Sequence, residues 1–506
     1  MKKSYPVHFL AFALYLILAL GVIPISSATV SATVIHSKVG DRSEGVEGQI
    51  RLSNIGKKQQ FVRSEADSWD EDISSPKSVT FSPNGKHFYV NSLEGCKTVV
   101  YDAATLKKIA VYEHDYDPVK QPELFAPLSG YYDFTHYPDG ATKPFKGKPV
   151  ESTWSHDGRY LWIPFYRRTF DLNAQDPSAI AVIDTKENKV VRVFETGPLP
   201  KMVRTSHDGK TLAITHWGNN TVGFLDITGN DPSKWHHLPP VTIARKLELN
   251  YPLNRAVNRD TNSGYLLRGT VFTPDDRYLL VSGMAGPLQV IDMATRTHIG
   301  SFSDLHSIRH LTISGDHLYG SQNTASTILK VHRPSLIAAI DKAKAEGNTN
   351  MQLGDKVTKV SVGNGARTLS ISPDGKYAFV ACNLGNAVYV VDTDVMEVVD
   401  NIRCDSYPVG LALSPDGHRM VVTSQGRSGN GGGNAVNIFE IDRFDNYDYV
   451  DELNKAPEPR QDVESETQHT GNSDEGSILR PVAMIVLGLV FIGLCAMVIN
   501  RRRRKK

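Results

Sequence analysis

The chain is poor in cysteine. Only 4 of its 506 residues are cysteine, and Cys495 lies in a long apolar run near the end of the sequence. The other three cannot all pair with one another, which argues against a disulfide framework. We therefore expect Cys96, Cys382 and Cys404 to be ordinary buried thiols.

An excess of charge of either sign is also missing. Lysine and arginine number 56 and aspartate and glutamate number 55, so the formal net charge is +1. No run of basic residues interleaved with aromatic residues occurs between the two ends of the chain. Bulk electrostatics therefore give no reason to expect a nucleic acid or another polyanion as the partner.

Motifs that mark common enzymes are absent. The sequence has no Gly-x-Ser-x-Gly elbow, no glycine-rich phosphate loop and no His-Glu-x-x-His pair. The Cys-x-x-Cys-His motif that attaches haem is missing as well. We place no catalytic constellation, and we expect neither an enzyme nor a cofactor.

Long hydrophobic runs occur only at the two ends. Lys2 and Lys3 precede an apolar run over 9–25, and small residues follow up to Ala32. This order is typical of a secretion signal, which we place at 1–32.

The second apolar run, at 478–500, is long enough to span a bilayer and is followed by the basic residues 501–506. Because positive residues stay cytoplasmic, the predicted topology is a single-pass membrane protein whose main domain is extracytoplasmic, in the periplasm or on the cell surface. The acidic, proline-containing segment 451–477 is predicted to be a flexible stalk.

Between the ends a four-residue turn recurs. It appears seven times, as SPNG, SHDG, SHDG, TPDD, SGDH, SPDG and SPDG, starting at Ser82, Ser155, Ser206, Thr273, Ser314, Ser372 and Ser414. Around Ser372, the stretch 365–404 divides into four short apolar strands separated by turns.

One such unit cannot bury both of its faces, so the copies must stack. The fold class is therefore all-β, a monomeric seven-bladed β-propeller of four-stranded blades over 46–450. We expect 46–55, or otherwise 446–452, to supply the outer strand of the last blade, because closure removes free sheet edges.

The segments VYDAAT, AVIDTKENKVV, QVIDMATRTHIG and YVVDTDVMEVV each follow one of these turns. They resemble the YVTN-type β-propeller family, which overlaps with surface-layer-protein propellers and, more distantly, with the haem-binding propeller of cytochrome-type nitrite reductases. The resemblance covers roughly 76–445 and implies the fold rather than a function. Its haem-binding members use an axial histidine, with arginine for the propionates, and His216, His306 and His310 are the histidines of this chain that are expected to share one face of the propeller.

In six repeats the third strand closes on an aspartate, and we expect these side chains to cap turns rather than to act as catalytic acids. They are Asp102, Asp184, Asp226, Asp292, Asp392 and Asp442.

Antiparallel pairing sorts the loops onto two faces. We call the face with the recurrent turns the bottom, and the face with the second-to-third loops and the links between blades the top. The insertions 114–148, 165–178, 248–264 and 425–434 then fall on the top, and 333–355, with a predicted short helix, on the bottom. Since long loops on one face of a rigid scaffold usually carry function, the top is the expected working face.

Five positions before each turn lies a residue expected near the propeller axis. These residues are Lys77, Val150, Lys201, Arg268, Arg309, Arg367 and Val409, and the next position adds Glu151 and His310. We predict that they form a ring around the top mouth of the central channel, where converging positive charge favours an anionic ligand. The alternative is that the ring is hydrated or paired with carboxylates such as Glu113, Asp115 and Glu123.

His216 and Trp217, in the second-to-third loop of the third repeat, complete the candidate site. An aromatic ring beside an imidazole can hold a planar ligand or a sugar, and the alternative is packing against a neighbouring loop.

The sequence thus predicts a membrane-anchored extracytoplasmic propeller that acts as a binding or scaffolding module, with a protein or small anionic ligand on its top face. The alternatives are an extracytoplasmic enzyme, either a lactonase-like hydrolase or a haem or metal oxidoreductase, and a surface-layer structural protein.

Overall fold

The structure is a computed structural model and describes residues 37–45, 49–248, 251–253, 255, 257, 264–426 and 434–444. The predicted signal peptide, stalk, transmembrane helix and basic tail lie outside these residues. Within the described part of the chain, no helix is both long and apolar enough to cross a bilayer.

Seven antiparallel sheets follow one another along the chain and confirm the seven-bladed propeller. Each blade has four strands, which run in order from the innermost to the outermost. Blade 1 consists of Pro76–Phe81, His87–Ser92, Lys97–Asp102 and Lys108–Glu113. Blade 2 consists of Thr153–Ser155, Tyr160–Arg168, Ser178–Asp184 and Lys189–Thr196. Blade 3 consists of Pro200–Thr205, Thr211–His216, Thr221–Asp226 and His236–Thr242. Blade 4 consists of Leu267–Phe272, Tyr278–Gly283, Pro287–Asp292 and Thr297–His306.

The remaining blades repeat this order. Blade 5 consists of His310–Ser314, His317–Gln322, Thr327–His332 and Val357–Ser361. Blade 6 consists of Ala366–Ile371, Tyr377–Cys382, Ala387–Asp392 and Glu397–Arg403. Blade 7 consists of Pro408–Leu413, Arg419–Ser424, Ala435–Arg443 and, from the other end of the chain, Ile50–Gln59. The blades also carry the short strands Asp115–Tyr116, Phe145–Pro149 and Asn350–Met351 and the 3-10 helices Pro122–Leu124 and Gly354–Lys356.

Closure of the last blade is the feature that joins the two ends of the propeller. Ile50–Gln59 pairs antiparallel with Ala435–Arg443, which confirms the prediction of an N-terminal outer strand, although the strand extends to Gln59. The Nζ atom of Lys57 on this strand lies 2.9 Å from the Asp405 carboxylate, and both side chains are buried. The closing strand is therefore held by backbone pairing and by a buried ion pair.

The core lies between the blades. Seven apolar clusters are each shared by two neighbouring sheets, so every blade buries both of its faces against its neighbours. This explains why the strands are nearly continuous in apolar residues. An eighth, smaller cluster around Trp217 does not lie between two sheets.

The bottom turns share one hydrogen-bond scheme. In blades 1, 3, 4, 6 and 7 the hydroxyl oxygen of the turn Ser or Thr accepts the backbone N–H five residues later, at 2.9–3.1 Å. The same hydroxyl donates to the side chain two residues later, as Ser372 does to Asp374 at 2.6 Å. Local side-chain bonds of this kind fix a turn without help from the rest of the fold.

Five of the six aspartates expected to cap turns do so, whereas Asp442 lies within the strand Ala435–Arg443, opposite Arg51 of the closing strand. Asp102 Oδ1 accepts the backbone N–H groups of Ala104 and Thr105, and Asp184 Oδ1 accepts those of Lys186 and Glu187. Asp226, Asp292 and Asp392 accept equivalent bonds.

The bottom insertion contains the predicted helix, α1, at Arg333–Glu346. It ends at Gly347, whose φ of 65° is left-handed. Asp341 of α1 accepts a 3.0 Å bond from Arg277, which follows the bottom turn of blade 4. The three cysteines Cys96, Cys382 and Cys404 are free and buried, as expected.

Candidate functional site

The aligned ring residues lie where the innermost strands begin. Consecutive innermost strands contact one another around the propeller, which brings their first residues to one level near the axis. The pairing of these strands shifts register at Lys77, Lys201 and Val409. Similar shifts include Arg268 and Arg367. Five of the seven ring residues are therefore presented by β-bulges, which redirect a side chain out of the regular alternation, whereas Val150 and Arg309 precede their strands.

In six of the seven blades, the residue two positions before the ring residue has a left-handed backbone conformation. These residues are Ser75, Leu199, Leu266, Ser307, Gly365 and Tyr407, with φ between 50° and 78°. Only Gly365 adopts this conformation without steric cost. The recurrence shows that a specific backbone bend, repeated from blade to blade, sets the ring.

All five cationic side chains of the ring are buried. Lys77, Lys201, Arg268, Arg309 and Arg367 are each at most 3% exposed. The ring is therefore packed into the mouth of the channel rather than freely exposed to solvent there.

Three of the five cations contact a cluster of apolar and aromatic side chains near blades 2–4. Lys201 Nζ is 4.4 Å from the ring centroid of Tyr166 and 4.9 Å from that of Trp217. The Cζ atom of Arg268 lies 4.4 Å from the ring centroid of the same tryptophan, Trp217. The Nη1 atom of Arg309 lies 2.9 Å from the sulfur of Met284. Trp217 thus joins two ring cations through cation–π contacts.

The other two cations contact polar groups of blade 7. Lys77 Nζ donates to the side-chain oxygen of Gln425 at 2.8 Å. Arg367 Nη1 donates to the Tyr407 hydroxyl at 3.2 Å. The Cζ atom of Arg367 also lies 5.2 Å from the centroid of the Tyr407 ring. The ring therefore has an apolar cluster beside it near blades 2–4, and amide and hydroxyl groups together with one aromatic ring near blade 7.

Glu151 and His310 are buried at the neighbouring position, at 1% and 0% exposure. The Nδ1 atom of His310 accepts the Leu369 backbone N–H at 3.2 Å. Burial, and secondarily the charge of Arg204, holds the pKa of His310 well below its usual range. Arg204 is a further cation on an innermost strand, and the alignment of one position per repeat did not include it. Its Nε donates to the Thr270 carbonyl at 3.2 Å.

His216 does not join Trp217 at the ring. It ends the second strand of blade 3, is fully buried, and its Nε2 accepts the Gly197 backbone N–H at 3.1 Å while Nδ1 bonds the Thr221 hydroxyl at 2.8 Å. A Cβ atom at Gly197 would lie 2.5 Å from the imidazole, and one at Gly223 would lie 2.9 Å from it. Both ring nitrogens and both ring faces are thus occupied, and burial lowers the pKa of His216 to about 3.

Two of the carboxylates that were expected as alternative partners of the ring cations form ion pairs with other lysines. Glu113 pairs with Lys97 at 3.0 Å, and Asp115 lies 3.5 Å from Lys146.

Two aromatic residues of the 114–148 insertion pack against segments outside it. Tyr137 contacts Phe170 at a centroid distance of 5.1 Å, and its backbone N–H donates to Asp176. Tyr132 packs edge-on against His216 at a centroid distance of 5.7 Å.

No convergence of metal ligands appears among the described residues, where no group of three or more His, Cys, Asp and Glu side chains is placed to hold a metal ion. His306 is exposed, whereas His216 and His310 are buried in different blades.

Comparisons with known proteins support the β-propeller fold and give no information on function. No protein-family model matches the chain, and a search of curated proteins finds no relative. The YVTN-type family is therefore not shown.

Two solved structures with β-propellers are similar in architecture. One is hydrazine synthase of Kuenenia stuttgartiensis, with 14% identity, a TM-score of 0.48, and coverage of 76% of this chain and 99% of that one. The other is the β-propeller domain of Cps50 (Swd1) of Myceliophteria thermophila, with 17% identity, a TM-score of 0.47, and coverage of 72% and 96%. The sequence identities and TM-scores are too low to bear on function, and the assignment of seven blades rests on the strand pairing described above.

Proposed function

We propose that the protein is a membrane-anchored extracytoplasmic binding or scaffolding module that takes an anionic group, of a protein or of a small ligand, at the top mouth of its propeller. The observation that carries the proposal is the convergence of five cationic side chains at one level of the innermost strands, where Glu151 is the acidic residue of the same set. Cations taken out of water exert a stronger field than solvated ones, so the mouth attracts an anion.

The direction of the chain supports the choice of face. The third strand of blade 7 runs from top to bottom, and Arg443 at its end donates to Asp374 in a bottom turn at 2.7 Å. Phe444 in turn bonds Gln49, which precedes the closing strand. The described chain therefore leaves the propeller after Phe444 from the bottom, and an anchor on that C-terminal side leaves the top directed away from the bilayer. At the other end of the described chain, Ser37 lies beside Lys57, whose Nζ donates to the Ser37 carbonyl at 3.2 Å.

The insertions support the same face. Segments before and within blade 2 are tied together above that blade, since Arg168 donates to the Gly140 carbonyl and Asp176 accepts the backbone N–H groups of His136 and Tyr137. Asn173 donates to the carbonyl of Arg255, in the link before blade 4, at 2.9 Å. Among the described residues, the top of blade 2 thus has a surface that the other blades do not reproduce.

The test is titration of the full-length protein with inorganic phosphate, using calorimetry, before and after a double replacement, Arg309→Gln with Arg367→Gln. We expect the affinity for phosphate to fall at least about tenfold, because each charge-assisted contact contributes more than 1 kcal/mol. Arg403→Gln, on the exposed outer strand of blade 6, is the matched control and should bind as the unmodified protein does. Equal affinity in the double variant and the control would overturn the proposal.

A further inference from the structure

The five ring cations do not share one environment. We infer that the ligand at the mouth is an anion joined to an apolar body, with the body lying on the side of blades 2–4. This inference rests on the proposed function and specifies the chemical class of the ligand.

The apolar side is a small cluster outside the seven cores between blades. Ala174, Leu199 and Trp217 are buried in it, and Tyr166, Leu266 and Met284 are half-buried at its edge. Backbone bonds tie it together, since Trp217 N–H donates to the Leu199 carbonyl at 2.9 Å and Met284 N–H to the Leu266 carbonyl at 3.2 Å. We call Tyr166, Leu266 and Met284 the apolar wall.

The apolar wall lies directly beside charge. Tyr166 contacts Lys201, Met284 contacts Arg309, and Trp217 behind the wall contacts both Lys201 and Arg268. A ligand drawn to these three cations therefore also contacts apolar atoms. A small hydrated anion gains nothing from such a surface, whereas an anion with an aromatic or aliphatic body buries it.

The recurrent left-handed position carries apolar side chains beside the apolar wall. Leu199 and Leu266 hold the left-handed position before Lys201 and Arg268, with φ of 52° and 55°. At the equivalent positions blades 1, 5 and 6 have Ser75, Ser307 and Gly365, and blade 7 has Tyr407. This conformation costs a leucine about 1 kcal/mol of backbone strain energy. The apolar side chains of blades 3 and 4 are therefore present despite this local strain.

The opposite side of the ring suits the charged end of the ligand. Lys77 and Arg367 donate to the Gln425 side-chain amide and the Tyr407 hydroxyl, and the Tyr407 ring also lies against Arg367 at 5.2 Å. One end of the mouth is thus built for hydrogen bonds and the other for apolar contact.

The experiment compares inorganic phosphate with phenyl phosphate on the full-length protein by calorimetry. We expect phenyl phosphate to bind at least about tenfold more tightly, because a phenyl group buried on the wall adds apolar contact area. In the double variant Leu266→Asn with Met284→Gln the preference should fall to about twofold or less, since both replacements keep the size and remove the apolar character. Asparagine also tolerates the left-handed backbone at 266, which favours folding of the variant.

Leu384→Asn is the matched control, because Leu384 is 44% exposed on a top loop of blade 6 and lies outside the apolar wall. It should keep the preference for phenyl phosphate. Equal binding of the two anions to the unmodified protein would overturn the inference and leave the proposed function standing. Failure of both anions to bind would overturn both.

Cross-linking of the unmodified protein gives a second readout that needs no variant. p-Azidophenyl phosphate, after illumination, should label peptides that contain Tyr166, Leu266 or Met284, as mapped by mass spectrometry, and excess phenyl phosphate should suppress the labelling. Labelling confined to other peptides, or a preference that survives the double variant, would overturn the inference.

Discussion

The bottom turns and the top mouth are built from the same seven repeats, yet only the bottom is chemically uniform. Five bottom turns repeat the same pair of hydroxyl hydrogen bonds. At the top the backbone bend recurs, but the side chains that follow it differ in charge and in contacts. The comparison teaches that local turn chemistry sets the repeat, while residues held by the repeated bend are free to differ from blade to blade and to serve binding.

If the top depends on individual contacts and the bottom on similar repeated turns, removing one top contact should lower the free energy of unfolding far more than removing one bottom contact. The largest effect is expected for Lys57→Met, because it leaves the buried Asp405 carboxylate at the closing blade without its ion-pair partner. We expect the free energy of unfolding to fall by about 3–5 kcal/mol, measured by denaturant titration.

Lys120→Met is the control, since Lys120 forms an exposed pair with Asp117. Its loss should change the free energy of unfolding by less than about 1 kcal/mol. A similar small effect for Lys57→Met would show that the closing blade is not held at the top by its ion pair.

The second effect concerns pH and the buried His216 at the top of blade 3. Its pKa is lowered to about 3 by burial, so the unfolded chain takes up a proton below about pH 6.5 and the folded protein does not. Stability is therefore lost as pH falls through this window, by about 1.4 kcal/mol per pH unit for this histidine.

His216→Gln should flatten the dependence of the free energy of unfolding on pH between about 6.5 and 4.5 by roughly this slope, as measured by denaturant titration at several pH values. His418→Gln, in a bottom turn, controls for removal of an imidazole. Parallel curves for the unmodified protein and His216→Gln would contradict the assignment of a neutral, enclosed imidazole.

The smallest effects are expected at the bottom. Ser206→Ala, Ser372→Ala and Ser414→Ala each remove a hydroxyl that accepts one backbone N–H and donates to one acidic side chain. Each should lower the free energy of unfolding by about 1 kcal/mol, with near-equal values in thermal melts. A single turn that costs several times more than the others would break the claim that the bottom is uniform.

Much of the fold follows from the sequence because its signals are local. The recurrent turn, the capping aspartates and α1 each depend on residues within a few positions of one another, and closure by an N-terminal strand follows from the need to remove a sheet edge. The level of the ring also follows, since a fixed offset from the turn places Arg309 and Arg367 at the start of their blades.

The environment of the ring residues could not be predicted, because it is made by contacts between blades. Nothing near Arg309 in the sequence indicates Met284, and nothing near His216 indicates that Gly223, on the next strand, closes one face of its imidazole. The bulges and left-handed residues were missed because serine, leucine and tyrosine fill positions where glycine would have been the usual signal.

The most direct test of an anion site at the top mouth is a crystal of the protein soaked in selenate, with data collected at the selenium edge. An anomalous peak at the level of the ring, within hydrogen-bonding distance of Arg309 or Arg367, is the expected result. Selenate peaks at surface lysines and arginines with none at the mouth would contradict the account.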